Sequence, residues 1–119
     1  MAHENYHEPF ELLSVETRDM HRAILSLMEE LEAVDWYQQR AEVCTDDALR
    51  AVLTHNQNEE IEHAMMTLEW IRRTNPVFDA NARKYLFRSG SITDAETGTG
   101  GPDVEVAGVD SLGVGSLKG

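Results

Sequence analysis

Glycine is absent from the first 89 residues of this chain, and all eight glycines lie at or after Gly90. All eight aromatic residues, from Tyr6 to Phe87, lie on the other side of that boundary. A long stretch without glycine, filled with good helix formers, points to helix. The remainder is rich in Gly, Ser and Thr and cannot bury enough apolar surface to offset its ordering entropy. The sequence therefore predicts an all-α body over residues 1–88, a flexible linker over 89–110 and a short end segment over 111–119, the tail being disordered. It holds 22 acidic and 10 basic residues, a formal net charge of −12. That balance argues against nucleic acid as a partner, which would call for a basic patch. It favours a cationic ligand or simple solubility.

The single Cys44 excludes an internal disulfide framework and a multi-cysteine zinc site, and it fits a reducing cytoplasm. No role for Cys44 follows from its position. The start, MAHENYHEPFELL, has neither a basic n-region nor an apolar h-region and does not read as a signal peptide. No apolar run approaches the ~18 residues of a membrane span.

Pro9 is placed to open a helix at a first-turn position. Leu13, Thr17, Met20, Ile24, Leu27, Leu31 and Val34 then alternate spacings of four and three, a heptad seam that places helix 1 at about 9–42. Thr45 followed by Asp46 and Asp47 reads as a capping hydroxyl with acids in the first turn. Leu53, Ile61, Ala64, Leu68 and Ile71 share one arc of a second helix, placed at about 46–74 and ended by Asn75-Pro76. A short third helix is expected at about 76–88. The connection around Val43 to Thr45 is too short for anything but an antiparallel pair. Two long helices have no interior of their own, so the hairpin calls for a second copy, most simply as a four-helix bundle.

Glu30 is the one charge in a second stripe on helix 1, formed by Met20, Ala23, Leu27, Glu30, Val34 and Tyr37. A carboxylate in an apolar stripe is costly unless it is paired, protonated or bound to a cation, or reaches solvent at the stripe's edge. Helix 2 carries Glu60-Ile61-Glu62-His63, and residues three apart share a helix face. Alone, that pair is also an ordinary exposed i,i+3 neighbour pair. Glu30 and Glu60, however, lie equally far from the connection, roughly 22 Å at 1.5 Å rise per residue, and so stand at one height. One hairpin thus supplies a Glu and a Glu-x-x-His at one level. Ferritin-like di-iron sites use two of each, so two hairpins related by a two-fold axis complete the set. Carboxylate and imidazole donors without thiolate suit iron or manganese.

Around this set, Glu29 and Glu32 share another face with Trp36, readable as a solvated acidic face or as an outer site that attracts hydrated cations. Tyr37 lies on the Glu30 stripe, as a core residue or as a neighbour of the metal. His55, Glu59 and His63 form a rival i, i+4, i+8 set. His3 and His7 fall in a frayed N-terminus, His21 reads as a polar helix residue, and Met20, Met28, Met65 and Met66 read as apolar filler.

The run Met28-Glu29-Glu30-Leu31-Glu32-Ala33-Val34-Asp35-Trp36-Tyr37, then Asn58-Glu59-Glu60-Ile61-Glu62-His63, and the segment Tyr85-Leu86-Phe87 resemble the encapsulated ferritins. The ending Leu112-Gly113-Val114-Gly115-Ser116-Leu117-Lys118-Gly119 resembles the peptide by which cargo proteins dock inside encapsulin shells. The resemblance implies a hairpin with a short C-terminal helix, metal-linked dimers and a ring-shaped decamer. It implies a ferroxidase centre holding two irons between two chains, with Glu30, Glu60 and His63 of each as ligands and Trp36 and Tyr37 beside it. Glu29 and Glu32 match the residues through which metal enters. Fe(II) would be oxidised by oxygen, and the mineral would be stored by the shell, in a cytoplasmic nanocompartment. Leu112, Val114 and Leu117 would anchor the tail, with Gly113, Gly115 and Ser116 letting the backbone lie close to a groove. The alternatives are a di-iron or di-manganese protein handling peroxide, and a non-enzymatic helical cargo of the shell.

Overall fold

Ser14, not Pro9, starts the first long helix. Its hydroxyl accepts the backbone N–H of Thr17 at 3.1 Å, the N-cap arrangement that satisfies one of the free amides of a first turn. The computed structural model describes residues 5–97. A 3-10 turn, Phe10–Leu12, precedes α1 (Val15–Val43), α2 (Asp47–Thr74) and α3 (Pro76–Tyr85), and a second 3-10 turn spans Thr93–Thr97. The fold is all-helical, with no strand among the described residues. No helix among them is long and apolar enough to cross a membrane.

The N-terminal segment is folded down from Tyr6 onward rather than frayed. Tyr6 stacks on His21 at 4.1 Å between ring centroids, and Arg18 lies 3.8 Å over the Phe10 ring while donating to the Phe10 carbonyl at 2.6 Å. Pro9 therefore opens only a 3-10 turn, and helix 1 begins at Val15 rather than near residue 9. At the connection, Asp46 rather than Thr45 caps α2: its Oδ1 accepts the Leu49 N–H at 2.8 Å. Arg50 ties the turn by donating from Nε to the Cys44 carbonyl at 3.1 Å and from Nη1 to Asp47 at 2.9 Å.

α1 and α2 pack on each other as an antiparallel pair. Met20, Ala23, Leu27, Glu30, Val34 and Tyr37 are all half-buried, so the stripe containing Glu30 is the row laid against α2. The heptad seam read from sequence merges two adjacent rows. Ala23, Glu30 and Tyr37 face α2, whereas Ile24 and Leu31 lie about 100° further round from Ala23 and Glu30, outside the contact. Ile24, Met28 and Leu31 accordingly remain exposed. On α2, Ala64 and Ile71 are buried, whereas Ile61, Met65, Met66 and Trp70 are exposed. At its C-terminal end, Glu69 is bridged by Arg72 at 2.7 Å and Arg73 at 2.6 Å. Hydrogen bonds from Arg72, then Arg73, lower its carboxyl pKa to about 2.

Ile71 is the one large side chain fully buried among the described residues. Ile71→Ala is expected to destabilise the fold by about 2–5 kcal/mol, the cost of lost burial plus a cavity. Urea titration followed by helicity checks this.

The chain divides into two compact units between Thr74 and Asn75. In the second unit, Asn75 caps α3, its Oδ1 accepting the N–H groups of Val77 at 2.9 Å and Phe78 at 3.0 Å, with Pro76 at the first helical position. α3 stops at Tyr85, three residues before the expected end. Phe87 follows with φ 60°, the left-handed conformation that usually falls to glycine after a helix. The glycine-free body places an aromatic residue there instead. The start of the expected linker contains the turn Thr93–Thr97, whose Ala95 is buried. The rest of the linker and the whole of 111–119 lie outside the described residues.

Candidate metal centre

Thr45 is the middle of the three residues between α1 and α2. Glu30 and Glu60 each lie fifteen residues from it, so an antiparallel pair without slippage sets them opposite one another. Two observations agree with that register. Gln57, twelve residues past Thr45, donates from Nε2 to the carbonyl of Val34, eleven residues before it, at 3.2 Å. Ala23 and Thr67, each 22 residues from Thr45, line one groove of about 400 Å³. Both carboxylates are half-buried, and both belong to rows that the hairpin turns inward.

Glu30 Oε1 is buried and has no hydrogen-bond partner. A buried carboxylate oxygen without a donor costs about 1–3 kcal/mol relative to one that is satisfied. A cation is one of the few things that can satisfy it. Across the hairpin, Glu60 Oε1 stands 3.6 Å from His63 Nδ1. That is longer than a hydrogen bond, and it presents an oxygen and a nitrogen donor side by side. The Glu60 and His63 side chains are 28% and 44% exposed. They remain open to a ligand, and the Thr67 hydroxyl donates to the His63 carbonyl at 3.1 Å.

The rival histidine set is not assembled. His55 pairs with Glu59 at 3.9 Å on an exposed face, whereas His63 turns toward Glu60. No group of three His, Cys, Asp or Glu side chains converges among the described residues of one chain. Glu29 and Glu32 are exposed, as is Trp36, while Tyr37 is half-buried. Arg40 holds its guanidinium 5.4 Å from the Tyr37 ring and 5.9 Å from that of Trp36.

Two features were not anticipated. His21 is not a plain surface residue, since its ring stacks on Tyr6 and its Nε2 is buried without a hydrogen-bond partner. Gln57 is the other. The only sign of it in the sequence is its place on the inward arc between Leu53 and Glu60, where a polar amide needs a partner.

A family model described as EncFtn-like matches residues 5–89. An encapsulated ferritin-like protein from Rhodospirillum rubrum is 52% identical over 95% of this chain and 87% of its own length. A ferritin-like protein from Thermotoga maritima is 45% identical over 96% and 98%. Among solved structures, protein ne0167 from Nitrosomonas europaea is 59% identical with a TM-score of 0.72, covering 74% of this chain and 97% of that one. The match spans both long helices with every candidate ligand, and the chain belongs to the EncFtn-like family.

Proposed function

We propose that this protein is a ferroxidase, oxidising Fe(II) to Fe(III) with dioxygen at a site shared by two chains. The observation that carries the reading is a buried Glu30 oxygen that no donor satisfies, on the helix packed against the one that bears the Glu60/His63 pair. Fe(II) is the substrate. Three donors from one chain are too few for two irons, and the same three from a second copy complete a Glu₂(Glu-x-x-His)₂ set. Oxygen and imidazole donors fit iron. The exposed apolar side chains along both helices give a second copy a surface to cover, and family membership supports an iron-related role.

In this reading each iron gives up one electron. An adjacent pair therefore delivers two electrons to one dioxygen, which takes up two protons and leaves as hydrogen peroxide. The protein's part is to hold the irons close and to compensate their rising charge with carboxylates. Glu29 and Glu32, exposed beside Trp36, draw hydrated Fe(II) toward the site, aided by the overall negative charge. Tyr37 and Trp36 border it.

The wider assembly follows the same proposal. Residues 1–88 form the catalytic body, which pairs through the metal and closes into a decameric ring. Residues 89–110 link it to 111–119, which, through Leu112 to Leu117, dock it inside an encapsulin shell in the cytoplasm. That shell then stores the mineral.

The test is aerobic mixing of Fe(II) with the purified oligomer. Ferric absorbance is expected to rise much faster than in buffer, and not at all without oxygen. A rate equal to that of buffer would sink the reading, and a rate that responds to added peroxide but not to oxygen would shift it to peroxide chemistry.

A further inference from the structure

We infer that Gln57 is a positioning residue for the metal site, its side-chain amide pinning α2 to α1 beside the opposed carboxylates. The inference rests on the metal-site reading above. Gln57 Nε2 donates to the Val34 carbonyl at 3.2 Å and to Gln38 Oε1 at 2.6 Å. Both amide hydrogens are thus spent on the opposite helix. Val34, inside α1, already accepts the N–H four residues on, so Gln57 takes the second lone pair of a carbonyl that is itself fixed in the helix.

The location gives this pair of bonds its consequence. Val34 follows Glu30 by four residues, and Gln57 precedes Glu60 by three, so the pin sits one helical turn from each carboxylate, toward the connection. Elsewhere the rows between the helices include apolar side chains such as Ala23, Leu27, Ala64 and Leu68. Apolar contact is non-directional and by itself holds axial height and rotation loosely. A slip of one residue moves Glu60 by about 1.5 Å and turns it by about 100°, which takes it off the level of Glu30. A hydrogen bond to a helix carbonyl resists both movements. Because two chains build the centre, an error in one hairpin's register is copied into both halves.

The experiment compares Gln57→Met, which keeps the length and removes the donors, with Gln57→Arg, which keeps donors able to reach both acceptors. Co(II) serves as the probe, read by its visible absorption, with helicity checked by circular dichroism. Gln57→Met is expected to raise the Co(II) titration midpoint ~10-fold and to alter the band, as loss of a ligand-orienting partner does. Gln57→Arg is expected to recover the native band. Its added positive charge opposes metal binding, so recovery comes from the donors. A purely structural amide predicts the reverse pattern: Gln57→Met lowers the melting temperature of the metal-free protein but leaves the Co(II) band and midpoint native. That result overturns the assignment. Separately, a wild-type Co(II) band that survives Glu60→Ala overturns the metal site itself.

Discussion

Replacing Glu30 with leucine is expected to stabilise the metal-free chain and to abolish its rapid oxidation of Fe(II). The two effects have one cause. Glu30 sits in the row that α1 turns toward α2, among Leu27, Val34 and Ala23, and its Oε1 is buried without a donor. Leucine fits such a row, and removing the unsatisfied oxygen is expected to stabilise the metal-free fold by about 1–3 kcal/mol. The same change deletes one carboxylate from each half of the centre. Loss of groups that merely orient a metal ligand costs about 10–100-fold, so loss of the ligand itself is expected to slow Fe(II) oxidation by at least about a hundredfold. Thermal melting in chelator and stopped-flow oxidation read the two effects separately. Glu60→Ala and His63→Ala are expected to share the kinetic loss without the gain in stability, because both side chains keep substantial exposure. Native-rate oxidation by the Glu30→Leu protein would remove Glu30 from the site.

The opposition of stability and function at Glu30 also explains how much of this protein was legible in its sequence. A charge in an apolar stripe breaks the local pattern, and such breaks mark functional positions. Together with the Glu60-x-x-His63 spacing and a connection centred on Thr45, it sets the height of the proposed site from sequence alone. Helix 2 was readable almost to the residue because Asp46 and Asn75-Pro76 punctuate it. Helix 1 was not, because Pro9 is compatible with a helix start, whereas Tyr6 and Phe10 find better contacts on His21 and Arg18 and leave Ser14 to begin it. α3 was read too long because nothing in Leu86-Phe87 announces a left-handed residue. Gln57 shows in the sequence only as a polar amide on an inward arc, for a different reason. Its importance lies in a hydrogen bond across 23 residues of chain, and no local rule reports a tertiary partner.

Added metal is expected to drive the protein toward larger oligomers, and the size of that effect follows from where the ligands lie. No group of three candidate ligands converges within the described residues of one chain. On the proposed reading the ligands come from two chains, so metal is expected to bind the joined state in preference to the separated one, and mass action converts that preference into association. At a free metal concentration a hundredfold above its dissociation constant, each site adds about 2.7 kcal/mol, close to a hundredfold in the association constant. Exposed apolar residues such as Met28, Leu31, Met65 and Met66 are expected to supply a second, metal-independent contribution. The two are separable. His63→Ala is expected to retain whatever association wild type shows in chelator and to lose the further shift on adding Fe(II) without oxygen, or Co(II). Native mass spectrometry of both proteins, with chelator and with metal, measures this directly. A wild-type distribution indifferent to metal would overturn the shared site. Loss of all association in both His63→Ala and chelated wild type would mean that the apolar faces contribute nothing on their own, and that the metal alone holds the chains together.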